Sequence, residues 1–336
     1  MNSDLERFTH ELDQFHLMPL WERRKPMQPG SPCVPMLWRY AQMRPLLERA
    51  AGLITKRAAE RRVLVFENPG LRGSTYITNS LFAGLQIILP GEIAPSHRHS
   101  PGALRFVIEG AGAYTAVAGE RATMQPGDFV VTPNWAWHDH GNEGAGPVIW
   151  MDGLDTPFAE FFGAIFREDY PDERHPVSRD EDQAAANYGS NLLPVEYRAD
   201  GLASPLLKYP YERTREALDH LARSGAIHPA HGVKLRYANP ANGRYPFPTM
   251  AAFMQWLPKA YAGRTMRSTD GTVFNVVEGS GAVTIGEERY EFAPHDVFVV
   301  PPWCAYSFKT DAECVLFSFS DRAGQEALGY WREQID

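Results

Sequence analysis

The chain has 336 residues, of which 44% are hydrophobic and 22% are charged, and its formal net charge is −8. This length suffices for two domains or one large β-rich domain, and the composition is that of a soluble globular protein. The negative charge excludes a broad basic surface for nucleic acid, and no apolar run approaches the roughly 18 residues of a membrane span.

Helical patterns occupy the N-terminal part of the chain. The segment SDLERFTHELDQF begins at Ser3, a residue type that caps helices. The segment VPMLWRYAQMRPLLERAAGLI has hydrophobic residues three and four positions apart, as on one face of a helix. We therefore predict a helical N-terminal arm over residues 1–60.

Strand patterns begin near residue 62. Short hydrophobic runs such as RVLVF, LQIILP, RFVIEG and DFVVTP lie about ten residues apart between Gly and Pro turns, which is typical of a β-sandwich or barrel. A mixed region follows residue 154, with one clear helix, ERTREALDHLARSG, that ends at Gly225. Strand patterns return over residues 272–320, and GQEALGYWREQI predicts a last helix.

The two strand regions repeat each other. The segment FVIEGAGAYTAVAGERATMQPGDFVVTPNWAWH aligns with NVVEGSGAVTIGEERYEFAPHDVFVVPPWCAY with one single-residue gap, so that Asp128 corresponds to Asp296. A match of this length indicates a duplicated domain and a mainly β fold. The predicted domains are a helical arm (1–60), a first β-domain (61–160), a mixed connecting region (161–255) and a second β-domain with a final helix (256–336).

Three histidines of the first repeat have the spacing of a metal site. Residues two apart in a strand point to the same face, so His97 and His99 face together and Arg98 faces away. A lone pair of this kind also fits two solvated polar residues. His138 follows a later strand that we expect to neighbour the first, and three such histidines form a facial set of neutral nitrogen ligands. The sequence therefore predicts a divalent metal at these three residues.

The frame G-x5-H-x-H, followed by P-G-x-hydrophobic and then P…H, resembles the cupin superfamily, and its two copies resemble a bicupin of two small β-barrels. Cupins commonly place a glutamate ligand a few residues after the H-x-H motif, where this chain has Ala103. This departure disfavours a sugar-phosphate isomerase or an oxalate-type cupin. Three neutral imidazoles leave a divalent metal with its full charge and open positions, which suits a chelating dianion and one small molecule.

Two further residues are predicted to face the metal. Arg105 lies two residues beyond Ala103, so it points to the same inner face, where its guanidinium suits a carboxylate. An internal ion pair is the structural alternative for this arginine. His140 lies two residues after His138 and could contact a bound ligand as an acid, base or donor, or could orient the neighbouring histidine.

The segments NPGLRGSTYITNSLFAGLQIILPGEIAPSHRHSPGALRFVIEG, DGLD and WHDHGN closely resemble the gentisate 1,2-dioxygenase family, with salicylate and 1-hydroxy-2-naphthoate dioxygenases as relatives. The resemblance covers nearly the whole chain. It implies an Fe(II) enzyme that uses O2 to open the ring of an aromatic hydroxyacid between its carboxyl- and hydroxyl-bearing carbons. Gentisate would give maleylpyruvate. Salicylate and 1-hydroxy-2-naphthoate are alternative substrates, and a metal-binding bicupin without catalysis is the alternative outside the enzymes. The three scattered cysteines, which form no CxxC pair, separately indicate a reducing cytoplasm.

The same resemblance assigns roles to single residues. Phe82 stands where the family commonly has Trp or Tyr, so the ring is kept and a hydrogen bond is lost, which bears on substrate choice. The segment around Leu20, Trp21 and Met27 resembles an arm that reaches a neighbouring subunit, and a homotetramer is implied. The implied roles are iron binding by His97, His99 and His138; catalysis by His140, Arg105 and Asp152; and substrate binding by Arg57, Arg61, Arg105, Phe82, Gln86 and His140.

The second repeat lacks this set of histidines. Its counterparts of the three ligands are Met266, Ser268 and Tyr306, which do not form a ligand set for iron. We therefore predict that the second domain serves packing and assembly. His228 and His231 lie outside the repeated strands and are predicted to be loop residues without a metal role.

Overall fold

The computed structural model describes residues 3–55, 61–190, 192–199, 201–225 and 227–336. It comprises a small unit, Met1–Gly30, and a large unit, Ser31–Asp336. The small unit contains helix α1 (Ser3–Asp13) and a short 3-10 helix, Leu20–Glu22. Among the helices in these described ranges, none combines the length and apolar character needed to cross a membrane.

In its described residues, the large unit contains five α-helices and two β-barrels built from two sheets each. The helices are α2 (Tyr40–Leu53), α3 (Thr156–Phe161), α4 (Gln183–Tyr188), α5 (Tyr211–Ser224) and α6 (Arg322–Ala327). The strands of the first barrel are β2 (Arg62–Val65), β3 (Phe82–Ile88), β4 (Ile93–His99), β5 (Ala103–Glu109), β6 (Ala113–Val117), β7 (Glu120–Thr123), β8 (Phe129–Thr132), β9 (His138–Asn142), β10 (Val148–Leu154), β11 (Arg167–Asp169) and β12 (Lys208–Tyr209). The strands of the second barrel are β1 (Met36–Trp38), β13 (Val233–Arg236), β14 (Ala251–Leu257), β15 (Met266–Ser268), β16 (Thr272–Glu278), β17 (Gly281–Ile285), β18 (Glu288–Phe292), β19 (Val297–Val300), β20 (Tyr306–Lys309), β21 (Cys314–Ser320) and β22 (Glu333–Ile335).

The duplication seen in the sequence is confirmed and is more extensive than the alignment indicated. The sheet order β12-β8-β5-β10-β3-β2 of the first barrel matches β1-β19-β16-β21-β14-β13 of the second. The second sheets correspond likewise, β11-β4-β9-β6-β7 with β22-β15-β20-β17-β18. Strands β13 and β14 therefore belong to the second barrel, although the sequence placed them in the connecting region.

Each repeat lends an edge strand to the barrel of the other. Strand β1 pairs with β19, and β12 pairs with β8, and each lent strand leads into a 14-residue helix, α2 or α5. The equivalent carboxylates Asp128 and Asp296 accept hydrogen bonds from the first backbone N–H of these helices, at Tyr211 (2.9 Å) and Tyr40 (2.8 Å). The positive end of the helix dipole also stabilises a carboxylate at this position.

Two predicted helical regions contain strands as well. The N-terminal arm is helical in part, but residues 36–38 form β1. The predicted last helix is wrong beyond α6, because Gly329 adopts a left-handed φ of 74° and Tyr330 N–H donates back to the Gln325 carbonyl at 2.8 Å. This arrangement ends the helix, and residues 333–335 then pair with β15.

Strand β5 shows why an arginine lies within an apolar run. Both faces of this strand are buried, and alternate residues point to opposite faces. Leu104 and Phe106 join the core between the two barrels, where Phe106 stacks on Phe317 of the second barrel with ring centroids 4.1 Å apart. The other face, which carries Arg105, points into the first barrel together with Val107.

Replacing Phe317 by leucine should lower the free energy of unfolding by about 1 to 2 kcal/mol, because the stacked pair is lost and part of the buried volume is left unfilled. Thermal unfolding followed by circular dichroism should show a Tm lower by a few degrees. The control Phe161→Leu changes an exposed ring and should leave the Tm unchanged. An unchanged Tm for Phe317→Leu would show that this ring pair does not hold the barrels together.

Candidate metal centre

Strands β4 and β9 bring three histidines together in the first barrel. His97 pairs directly with His138 across the two strands, and His99 follows His97 on the same face. The ring centroid of His138 lies 4.2 Å from that of His97 and 4.8 Å from that of His99. One ring nitrogen from each of the three residues lies within 4.8 Å of the others. The grouping predicted from the sequence is therefore present.

Hydrogen bonds select the same tautomer for His99 and His138. The Nδ1 of each of the three rings lies beside a backbone carbonyl two residues away, and a proton donated to that carbonyl leaves the Nε2 lone pair for a metal. At His97 the Arg61 guanidinium also lies 2.6 Å from Nδ1 and competes with the carbonyl for this atom. The Nε2 atoms of His97 and His138 are buried and have no hydrogen-bond partner among the residues described. This donor set fits a divalent metal. The Nδ1–O distances are 3.1 Å from His97 to Pro95, 2.8 Å from His99 to Pro101 and 2.9 Å from His138 to Ala136.

The three imidazoles are held neutral. Burial, aided by the nearby Arg61 charge, lowers the pKa of His97 to about 2, and burial lowers the pKa of His99 to about 4. Burial also places the pKa of His138 well below its ordinary value. Neutral imidazole is the form that ligates a metal, so binding at neutral pH does not have to displace protons from these rings.

Arg105 is buried beside the histidines and has a partner on its own barrel wall. It is 3% exposed, its Nη1 donates to Thr132 Oγ1 at 2.5 Å, and its Nε lies 3.5 Å from Asp152 Oδ1. Burial raises the pKa of Asp152, and the guanidinium opposes that rise. Trp150 Nε1 donates to the same carboxylate at 3.0 Å. Among the described residues nothing accepts a hydrogen bond from Arg105 Nη2, which is therefore available to a ligand.

His140 lies next to this group on strand β9. Its ring centroid is 5.7 Å from that of His138, and its Nδ1 lies 3.0 Å from Thr115 Oγ1. Its Nε2 is buried and has no partner in the described part of the chain. Burial, followed by the charge of Arg105, holds the pKa of His140 well below its ordinary value, so this ring is a neutral hydrogen-bond acceptor or donor.

The remaining predicted site residues have different outcomes. Arg61 Nη2 lies 2.6 Å from His97 Nδ1, which places this arginine at the histidines. Gln86 is buried on β3, and Phe82 precedes it on the same face at the end of that strand. Arg57 lies outside the described residues. Thr132, Thr115 and Trp150 were not predicted from the sequence, because their contacts depend on strand register.

The second barrel lacks the ligands at the equivalent place. Met266 pairs with Tyr306 just as His97 pairs with His138, so the alignment of the repeats is correct in space. Phe274 pairs with Phe298 and Ser318 at the position that corresponds to Arg105. In the described ranges, the three histidines of the first barrel are the one cluster of possible ligands. His228 and His231 stack on each other at 3.7 Å and do not belong to it.

Elemental analysis of the purified protein should therefore find one tightly held divalent metal per chain. The reason is that three neutral imidazoles converge in the first barrel, whereas thioether, alcohol and phenol groups replace them in the second. Dialysis against a chelator before reloading gives the control for loosely held ions. Two tightly held metals per chain would contradict this assignment.

Known proteins resemble this chain over its whole length. The family model described as a cupin domain matches residues 84–154. The chain is 48% identical to gentisate 1,2 dioxygenase 1 of Aquipseudomonas alcaligenes, over 99% of this chain and 97% of that protein. It is 33% identical to a 1-hydroxy-2-naphthoate 1,2-dioxygenase of Nocardioides sp., over 98% of this chain and 87% of the relative.

Solved structures agree with the sequence comparison. A crystal structure of salicylate 1,2-dioxygenase from Pseudoaminobacter salicylatoxidans as an adduct with gentisate matches with a TM-score of 0.92 and 33% identity, over 100% of this chain and 94% of that chain. The likeness thus covers both barrels and is not confined to the metal-binding strands. The chain belongs to the gentisate 1,2-dioxygenase family of bicupin ring-cleaving dioxygenases.

Proposed function

We propose that the protein is an Fe(II)-dependent gentisate 1,2-dioxygenase. It opens the aromatic ring between the carboxyl-bearing carbon and the adjacent hydroxyl-bearing carbon, and both atoms of O2 enter the product, maleylpyruvate. The observation that carries this proposal is the convergence of three neutral histidines with the buried Arg105 guanidinium inside one barrel. The 48% identity to a gentisate 1,2-dioxygenase supports the same substrate.

The donor set supports Fe(II) as the metal, held by His97, His99 and His138. Imidazole nitrogen is a suitable ligand for iron, and the position of the usual cupin glutamate is the buried Ala103. When bound, Fe(II) supplies open coordination positions for a chelating hydroxyacid and the electrons that activate O2. The three histidines remain neutral throughout, so the site keeps the positive charge that a dianionic substrate requires.

The arginines bind the substrate carboxylate. Arg105 Nη2 offers a donor that the barrel wall does not use, and Arg61 adds a second guanidinium at His97. Asp152 pairs with Arg105 on the barrel wall, with its Oδ1 3.5 Å from Nε, and so helps to orient the guanidinium. A planar guanidinium can form two parallel hydrogen bonds to a carboxylate, which fixes the ring as well as attracting it.

His140 binds the far hydroxyl of the ring. Its neutral Nε2 accepts a hydrogen bond from that hydroxyl and can take its proton, because the hydroxyl becomes more acidic as the ring gives up electrons during oxidation. Gln86 and Phe82 form the wall beside the ring. Salicylate lacks the far hydroxyl and would leave His140 Nε2 without its partner, so gentisate should be the better substrate.

A substrate panel with an oxygen electrode tests the choice of substrate. Gentisate, salicylate and 1-hydroxy-2-naphthoate are given to the iron-loaded enzyme, and kcat/KM is compared. We expect gentisate to exceed the other two by at least about tenfold, because a buried polar group left unpaired weakens binding. A higher kcat/KM for either competitor would reassign the substrate, and no O2 uptake with any of them would favour a metal-binding bicupin without catalysis.

The protein is proposed to act as a homotetramer in the cytoplasm. Leu20, Trp21 and Met27 are 67%, 68% and 96% exposed, and such large apolar side chains in an N-terminal arm suit contact with a second subunit. The three cysteines are free thiols, as is usual in a reducing compartment. Light scattering coupled to gel filtration measures the subunit number directly, and a monomer would overturn the tetramer.

A further inference from the structure

The second barrel contains a cavity of about 310 Å3 at the place that corresponds to the metal centre. Met266, Ser268 and Tyr306, which replace the three histidines, all line it. Other parts of this barrel are filled by aromatic rings such as Phe274 and Phe298. Loss of the metal ligands has therefore not closed the space between these strands.

Two cations converge on this cavity. Lys234 Nζ lies 4.5 Å from the ring centroid of Phe253, and Arg322 Cζ lies 6.0 Å from the same centroid. Arg322 forms its ion pair with Glu326 through Nε at 2.7 Å. Within the described part of the chain, Lys234 has no carboxylate at ion-pair distance, and Asp270 and Glu333 are the opposite charges that act on it. Arg322 is compensated by Glu326, so Lys234 is the cation that an anion in the cavity would compensate.

The surroundings of Lys234 disfavour its protonated, charged form. Burial lowers the pKa of Lys234 to about 8, and the Arg322 charge contributes in the same direction. An ammonium group without a counter-ion destabilises a fold, and cores rarely keep one without a use. The strand that carries Lys234 could hold an uncharged residue, since its counterpart in the first barrel, opposite Gln86, is Val63.

Groups that recognise hydroxyls lie in the cavity lining and, at Gln255, on the strand beside Lys234. Gln255 lies directly opposite Lys234 in register, so the two side chains share a face, and both amide atoms of Gln255 are buried without a partner in the residues described. Asp270 lines the cavity and is oriented by Trp331 Nε1, which donates to its Oδ1 at 2.9 Å. Ser268 and Thr272 add two hydroxyl groups.

The charges around the cavity suit a monoanion. Lys234, Arg236 and Arg322 line it together with two carboxylates, Asp270 and Glu333. Because Glu326 pairs with Arg322, Lys234 is the lining cation left for the carboxylate of a ligand. His231 also lines the cavity, but burial lowers its pKa to about 4, so it adds no charge at neutral pH.

We propose that this cavity of the second barrel binds a small hydroxycarboxylate, with its carboxylate between Lys234 and Arg322 and its hydroxyl donating to Asp270. The site needs no metal and is separate from the dioxygenase centre of the first barrel. Aromatic and aliphatic hydroxyacids both carry this chemistry. Salicylate and L-lactate are therefore used as the two probes.

Anaerobic isothermal titration calorimetry of the iron-loaded full-length enzyme tests the proposal. For salicylate, we expect two sites per chain in the wild type and one in Lys234→Met; for lactate, we expect one site that Lys234→Met weakens by at least about tenfold. Binding of either probe that depends on Lys234 supports the proposal. The probe that binds shows whether the ligand is an aromatic or an aliphatic hydroxyacid. The matched control Lys309→Met removes an exposed lysine of the same barrel and should bind as the wild type does.

Stability separates a binding lysine from a structural one. Without probe, Lys234→Met should have an unchanged or raised Tm and full iron content, because methionine fills the same space beside Phe253 without a buried charge.

If Lys234→Met fails to fold, Ser268→Leu decides, since it fills the cavity and leaves the cations in place. The proposal would be overturned if the folded variants bound both probes as tightly as the wild type does. It would also be overturned if neither probe showed binding that depends on Lys234. If the enzyme is inactive on gentisate but still binds a probe at this cavity, the proposed function is refuted and the proposal for the cavity stands.

Discussion

The His138→Ala protein should lose its iron and its ring-opening activity together. His97 and His99 come from one strand, and among the described residues His138 of β9 completes the group with them. Two imidazoles from one strand leave the metal with water in place of the third nitrogen, and affinity falls accordingly. Iron per chain by elemental analysis and O2 uptake with gentisate are measured on the same preparation.

The matched control for this variant is His140→Ala. His140 lies on the same strand and face, is equally buried and also has an unpartnered Nε2, yet it is outside the ligand group. We expect His140→Ala to keep its iron and to lose activity through a lower kcat. Full iron and full activity in His138→Ala would show that a different residue completes the site, and loss of iron in His140→Ala would add that residue to the ligands.

Arg105→Ala should keep its iron but lower kcat/KM for gentisate by about 30- to 1,000-fold, equivalent to about 2 to 4 kcal/mol for a buried charged hydrogen bond. The reason is that the described barrel wall contacts Arg105 at Nη1 and Nε, and we expect Nη2 to donate to the substrate carboxylate. Arg105→Lys should recover only part of the loss, because an ammonium group lacks the planar pair of donors.

The ion pair between Arg105 and Asp152 offers a second explanation for a loss of activity in Arg105→Ala, namely a loss of stability. Removing Arg105 leaves a buried carboxylate with Trp150 as its remaining donor, which lowers stability. The double variant Arg105→Ala/Asp152→Asn removes that uncompensated charge. We expect it to recover the Tm and iron content of the wild type but not its kcat/KM. Recovery of activity along with stability would show that Arg105 acts only within the fold.

The sequence predicted the parts of this structure that depend on local pattern. The H-x-H spacing, the repeated strands and the helix that ends at Gly225 each follow from periodicity or from a single terminating residue, and each is present. The counterparts of the histidines in the second repeat were also found, because the alignment has only one gap.

The remainder depends on pairing between distant segments. Strands β1 and β12 are three and two residues long, too short for an alternating pattern to appear beside a helix. Their exchange between the barrels is decided by backbone hydrogen bonds and by the caps at Asp128 and Asp296. The contact of Arg105 with Thr132 likewise requires the register of β5 against β8, which no single segment encodes.

Oxygen uptake by the iron-loaded enzyme with gentisate decides whether the protein is a gentisate 1,2-dioxygenase. We predict that one O2 is consumed per gentisate, that the ring-opened product appears at the same rate, and that chelation stops both until Fe(II) is restored. Zinc in place of iron should not restore uptake, because it has no redox chemistry. A protein with one iron per chain that consumes no O2 with gentisate would contradict the account.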